Sequence, residues 1–288
     1  MQGLARFIMR GRPQALLVAV LGSASLLFSW VSAAAIALVT LRRGAAEGAF
    51  VLLWALLPAA VIAWSLGDGS YLALLGGTAA LAMVLRVTVS LATAILASVG
   101  VALLAGGLML ALGEQYLALV SERVVEPYMV LREEALAAAG NPMELPRPGS
   151  AAIAGLMGSG VAVMSLLCLM LGRYWQAALY NPGGFGAEFR ALRYPLAVSA
   201  GLVVALLVLS GQGMTWSIWA MVAVVPLTFA GLGLVHARAR LRGWSRGAMW
   251  LFYGAWLLVP MQLVMVGLAV ADSALDLRRR WEPGESGQ

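Results

Sequence analysis

Apolar positions in this chain do not alternate with polar ones; they run on. Residues 13–41, 48–67, 69–113, 148–172, 194–235 and 247–271 carry no charged side chain apart from Arg86. A helix needs roughly 20 apolar residues to cross a bilayer core, because unpaired backbone N–H and C=O groups are costly in hydrocarbon. Stretches 69–113 and 194–235 are long enough for two helices each. The pattern therefore predicts an all-α, polytopic membrane helix bundle of roughly eight to nine segments. Between 114 and 140 the period changes: Leu117, Val120, Val124, Tyr128 and Leu131 recur at helical spacing, with Glu122, Glu126 and Glu133 on another face. That is an amphipathic helix lying in the interface rather than a span. Pro127 should kink it, and Asn141-Pro142 with Pro146 and Pro148 should end it. A single integral membrane domain then covers 1–288, with N-terminal helices in 13–113, an external amphipathic segment in 114–147 and C-terminal helices in 148–276.

Composition sharpens this picture: 62% of residues are hydrophobic and 11% charged, so nothing is left over for a separate soluble domain. Nineteen basic residues against 13 acidic ones, all of the basic ones arginine, give a net charge of +6. The arginines sit at helix ends and read as orientation signals, not as a nucleic-acid footprint. The single cysteine, Cys168, lies inside an apolar stretch, which excludes disulfides and a cysteine-rich metal site. The N-terminal Arg6, Arg10 and Arg12 precede an apolar run that continues to Leu41, which suits a retained membrane segment better than a cleaved signal.

Charge asymmetry also orders the loops. Arg42 and Arg43, Arg86, the 173–193 loop and the 238–246 cluster are expected in the cytoplasm, with Asp68, 114–147 and Gly211-Gln212-Gly213 outside. The 13–41 stretch has arginines at both ends, so it reads either as a hairpin of two short helices bent near Gly22-Ser23-Ala24-Ser25 or as one long tilted helix. The multi-pass location implied is a bacterial inner membrane.

Candidate chemistry is sparse. The lone His236, the absence of a metal-ligand cluster, of a phosphate-binding glycine loop and of a nucleophile elbow argue against an enzyme, and no cofactor is expected. Arg86 is the one ionisable residue deep in an apolar run; it reads as the mark of a cytoplasmic turn, with an intramembrane functional charge as the rival. The densest feature is the 172–194 loop. Arg173, Trp175, Asn181, Gly183, Gly184, Arg190 and Arg193 there, with Arg86, are the candidate ligand-binding residues: glycine N–H groups can form an anion nest and arginine forks can hold phosphate or carboxylate. An aromatic belt with snorkelling arginines explains the same composition without a ligand. Asp272 and Asp276 fall one turn apart, with Arg279 and Arg280 a turn beyond Asp276, which predicts local ion pairs rather than a cation site.

The 173–193 run, with Tyr180-Asn181-Pro182-Gly183-Gly184-Phe185, Phe189-Arg190 and Leu192-Arg193, resembles the YybS-like family of bacterial membrane proteins, a family of unknown function. Residues 231–236 and 272–278 are similar to that family's last two helices. The resemblance implies a distant likeness to the substrate-binding membrane subunits of energy-coupling-factor transporters, in which helices surround a ligand cavity. It also implies a membrane partner docked through small residues of the first helix, for which Ala15-x-x-x-Ala19 stands here; no ligand residue follows from it. Two readings result. One is a protein that binds a small or lipid-like molecule and moves it, without energy conversion of its own; the other is a non-catalytic membrane scaffold for envelope assembly. Partners are the lipid bilayer and a membrane protein packed on small-residue helix faces, with no nucleic acid.

Overall fold

A computed structural model describes residues 2–281, apart from the side chains of 259 and 260. Among these residues every regular element is a helix. Five helical stretches are long and apolar enough to cross a membrane: Ala45–Leu66 (α4), Ser70–Thr88 (α5), Leu91–Leu112 (α6 and α7, divided at Ala97), Ser150–Tyr180 (α10) and Met214–Leu241 (α13 and α14). Arg246–Trp256 (α15) and the following helix (α16, Val259–Leu275) make a sixth if the pair is counted as one, although its axis bends by 107°. The eight or nine segments expected from sequence are thus not reached by length. The reason lies in the short helices: α2 (Arg12–Ser23) and α3 (Ser29–Arg43) hold 12 and 15 residues, and at 1.5 Å per residue reach only about 18 and 22 Å.

Those two helices are the hairpin that the arginines at both ends of 13–41 foreshadowed. The Ser32 hydroxyl donates to the Ala19 carbonyl at 2.7 Å, and the Cβ absent from Gly22 would lie 3.1 Å from Ser32. Small side chains on both helices let the backbones approach. The ends close on one another as well: Arg43 donates to the Met9 carbonyl at 2.7 Å, in the last turn of α1 (Gln2–Arg10), and Arg12 pairs with Glu47 at the start of α4. Ala15 and Ala19, the small face expected to meet a partner protein, are buried within the chain's own core.

Helix α10 is the axis of the bundle. Its Gly158 meets α7 so closely that a Cβ there would stand 2.8 Å from the Gly106 nitrogen, and its Gly172 would place one 2.8 Å from Ala37 of α3. Leu166, Leu169 and Cys168 of α10 fill the centre. At the far end α8 (Glu114–Val120) and α9 (Glu126–Ala138) join through a π turn at Ser121–Val125 that precedes Pro127. Proline supplies no N–H to the helix ladder, and the ladder widens to a π turn ahead of it. Val124, Tyr128 and Leu131 stay exposed on this segment while Leu117 packs on Ile153 and Ala154 of α10.

The arginine-bearing turns gather at one end. Arg86 donates to the Thr40 and Leu41 carbonyls at the close of α3, Arg42 lies 4.1 Å over the Tyr180 ring, and Arg238 lies 4.6 Å over Trp281. Arg86 therefore marks a turn, two residues before the end of α5, and satisfies carbonyls that the last turn of a helix leaves open. The opposite end carries α8, α9 and the Ser217–Ser210 contact that closes α12 (Leu196–Ser210) onto α13 (Met214–Ala220).

Candidate functional site: a lateral cleft capped by aromatics and Arg190

A cleft of about 860 Å³ opens between α10 and α14 (Val224–Leu241). On α10 its wall is the stripe Leu156, Ser159, Val163, Leu167, Met170 and Tyr174; facing it, the chain offers Met221, Val225, Thr228, Leu232 and His236. Both stripes step by three or four residues, as one face of a helix must. From Leu156 to Tyr174 the wall runs about 27 Å at 1.5 Å per residue, close to the depth of a bilayer core. Such a volume with so few polar groups suits one elongated apolar ligand.

The arginine end of the cleft is closed by α11 (Gly184–Arg190) and α15. A chain of rings lines it: Tyr174 to Phe185 at 6.3 Å, Phe185 to Phe189 at 6.1 Å, Phe189 edge-on to His236 at 5.2 Å, and His236 to Tyr253 at 5.8 Å. His236 Nδ1 lies 2.8 Å from the Leu232 carbonyl and Nε2 lies 2.9 Å from the Tyr253 hydroxyl. A carbonyl only accepts, so Nδ1 carries the proton. Arg190 completes this mouth. Among the described residues its guanidinium forms no ion pair.

Arg190 is held there by its backbone. Arg278 donates to the Arg190 and Leu192 carbonyls and, at 2.9 Å, to Asp272 Oδ2, tying the segment after α11 to α16. Arg193 pairs with Asp276 at 2.8 Å. These pairs differ from the local ones expected: α16 ends at Leu275 and Asp276 takes φ +50°, so the helix does not continue to present Arg279 and Arg280 a turn beyond. The Arg193 guanidinium holds the Asp276 carboxyl below the usual carboxylate range.

The other sequence candidates fall elsewhere. Arg173 makes a forked pair with Glu188 and a 3.2 Å bond to Gln176, and with Arg86 it borders a separate polar cavity of about 340 Å³. Trp175 is 1% exposed and belongs to the core beside α1 and α3. Asn181, Gly183 and Gly184 form the turn between α10 and α11. There Gly183 takes φ +87°, where a side chain would strain the backbone, and Gly184 N–H is already given to the Asn181 carbonyl at 3.0 Å. The Asn181 side chain covers Gly184, so the nest of free N–H groups is not formed. Of the eight candidates only Arg190 reaches the cleft. His236, Tyr253 and Gln262, which sequence reasoning did not place in a site, line it instead.

No family model matches this chain, and no curated protein or solved structure matches it.

Proposed function

We propose that this chain is a multi-pass protein of a bacterial inner membrane that binds a lipid-like amphiphile in the α10–α14 cleft, apolar chain along the wall and anionic end at Arg190. In this reading α4, α5, α6–α7, α10, α12 and α13–α14 cross the bilayer, and the α2–α3 and α15–α16 hairpins enter and return at the arginine end, which faces the cytoplasm. The cleft carries the reading: a wall about 27 Å long, apolar throughout most of its length, ends at an arginine that forms no ion pair among the described residues. A ligand-free scaffold would be expected to pack its core shut and keep polar groups at its rims. The resemblance to the YybS-like family, through 173–193, supports the same direction, since the segment closing the cleft mouth lies in that run. With no nucleotide motif in the sequence, any net movement of the ligand draws on a partner or a gradient.

Native mass spectrometry of protein released from nanodiscs tests this. An anionic amphiphile should be retained by the wild-type chain, lost in Arg190→Ala, and only partly kept in Arg190→Lys, because a planar fork matches an oxyanion in a way a point charge does not. Equal retention by all three, at equal abundance, would overturn the assignment of the anionic end.

A further inference from the structure

The cleft is not apolar along its whole length. Thr228 on α14 and Gln262 on α16 both line it, and neither side chain has a hydrogen-bond partner among the described residues. Their level is fixed by the helix register. Gly231 of α14 packs against the backbone of Met265, and the two helices run side by side in the same direction, since Arg238 near the end of α14 lies over Trp281, just beyond the end of α16. Three residues back from each contact lie Thr228 and Gln262, so the hydroxyl and the amide share one depth. Threonine in a helix ordinarily returns its hydroxyl to the carbonyl four residues earlier, as Thr40 does to Ile36 at 2.8 Å. Thr228 does not. An unmade hydrogen bond facing an apolar groove is costly, and two at one level form a polar step in a largely apolar wall.

His236, at the mouth, lies eight residues along α14 from Thr228, a rise of about 12 Å. Phe189 meets His236 edge-on at 5.2 Å, so Arg190, the next residue of α11, is carried at that level. The cleft thus offers a cation at one end and a donor–acceptor pair about 12 Å deeper. Resting on the amphiphile reading above, we infer that the ligand is a long-chain anion bearing a second, mid-chain oxygen, a hydroxyl or a carbonyl, about nine or ten bonds from its anionic end, each bond of a zig-zag chain advancing about 1.25 Å along its axis. The amide of Gln262 donates to or accepts from that oxygen, and the Thr228 hydroxyl takes the complementary role. A saturated chain leaves both wall groups unpaired.

Octadecanoate and 10-hydroxyoctadecanoate separate the possibilities. Each is titrated into protein-loaded nanodiscs, with binding referred to its own partition into empty ones. The wild-type chain should bind the hydroxy acid at least about tenfold more tightly, the usual scale for pairing buried polar groups against leaving them unpaired. In Thr228→Val with Gln262→Leu, both close in volume to the originals, the preference should fall to within about twofold while octadecanoate binds as well as before or better. Equal binding of the two acids to the wild-type chain would overturn the mid-chain oxygen and leave the amphiphile reading intact. Binding of neither acid above the empty-disc level would overturn both.

Discussion

Replacing Arg278 tests the anchor of the cleft mouth. Its guanidinium meets three acceptors, Asp272 Oδ2 and the carbonyls of Arg190 and Leu192. Asp272 is 2% exposed, and its other carboxylate oxygen has no partner among the described residues. Arg278→Ala therefore strands a buried carboxylate with nothing to meet it, a class of change that costs about 3–5 kcal/mol. Arg278 keeps 17% of its own side chain in contact with solvent, and water can enter where it leaves. The lower figure, about 3 kcal/mol, applies. For a chain of this size that is a fall in Tm of about 6–12 °C. Asp272→Asn removes the charge and leaves behind the more exposed partner, so it should cost clearly less. Asp272→Leu with Arg278→Met removes both charges and should recover most of the loss, as buried pairs replaced by apolar side chains do. Tryptophan fluorescence during a fixed-rate thermal scan in nanodiscs reads all three, and ligand retention should fall with Arg278→Ala because the Arg190 backbone is released. A Tm change below about 2 °C for Arg278→Ala, or a double variant less stable than it, would refute the argument.

Two further outcomes follow from the geometry. Gly158→Ala puts a methyl 2.8 Å from the Gly106 nitrogen, whereas Gly160→Ala on the same helix meets open space. The first should cost about 1–3 kcal/mol in unfolding measurements and the second should be neutral or stabilising, with equal effects counting against the close α7–α10 crossing. At the opposite end Arg147, then the Leu145 N–H, hold the Glu133 carboxyl below its usual range. A depressed pKa stabilises above the unfolded value, near pH 4, and that stabilisation is lost as pH falls through the lower folded value. Spin-label distances between 136 and 146 should therefore widen in acid for the wild-type chain and be wide and pH-independent in Glu133→Gln, and an unchanged acid transition in Glu133→Gln would contradict this.

Much of the architecture was legible because charge interrupts it. Arginines at both ends of 13–41 raised a hairpin beside one long tilted helix, and the structure has the hairpin, joined through Arg43 to Met9 and Arg12 to Glu47. Arg86 marked the turn after α5 for the same reason. The glutamates of 114–140 set that segment apart from the spans. What charge does not interrupt stayed hidden. The 247–271 stretch reads as one apolar span, yet the chain bends between α15 and α16; Pro260, in the first turn of α16, was the available signal. The cleft was invisible for a related reason. Its α10 stripe is apolar on a helix that is apolar on every side, so no period distinguishes the face that meets a cavity from the face that meets α3 or lipid. The 173–193 loop drew attention through its arginines, but most of them are spent on Glu188, Asp276 and the backbone. Composition reports that charges are present and not which of them remain free.

The two hairpins show what side-chain size decides. In the first, Ser32 to Leu41 of α3 are all buried, and alanine, serine and glycine at the contact let α2 and α3 close with no space between them. In the second, α15 has no buried residue at all; Trp250 and Leu251 are 78% exposed. Its attachment at the mouth is Tyr253 on His236, and bulky aromatics hold the helix off α14 rather than letting it seat. The same topological device, a pair of short helices entering from the arginine end, thus yields a sealed core at the N-terminus and an open wall at the C-terminus. Small residues permit helix contact in a setting where lipid competes equally well for apolar surface, and large ones leave a gap.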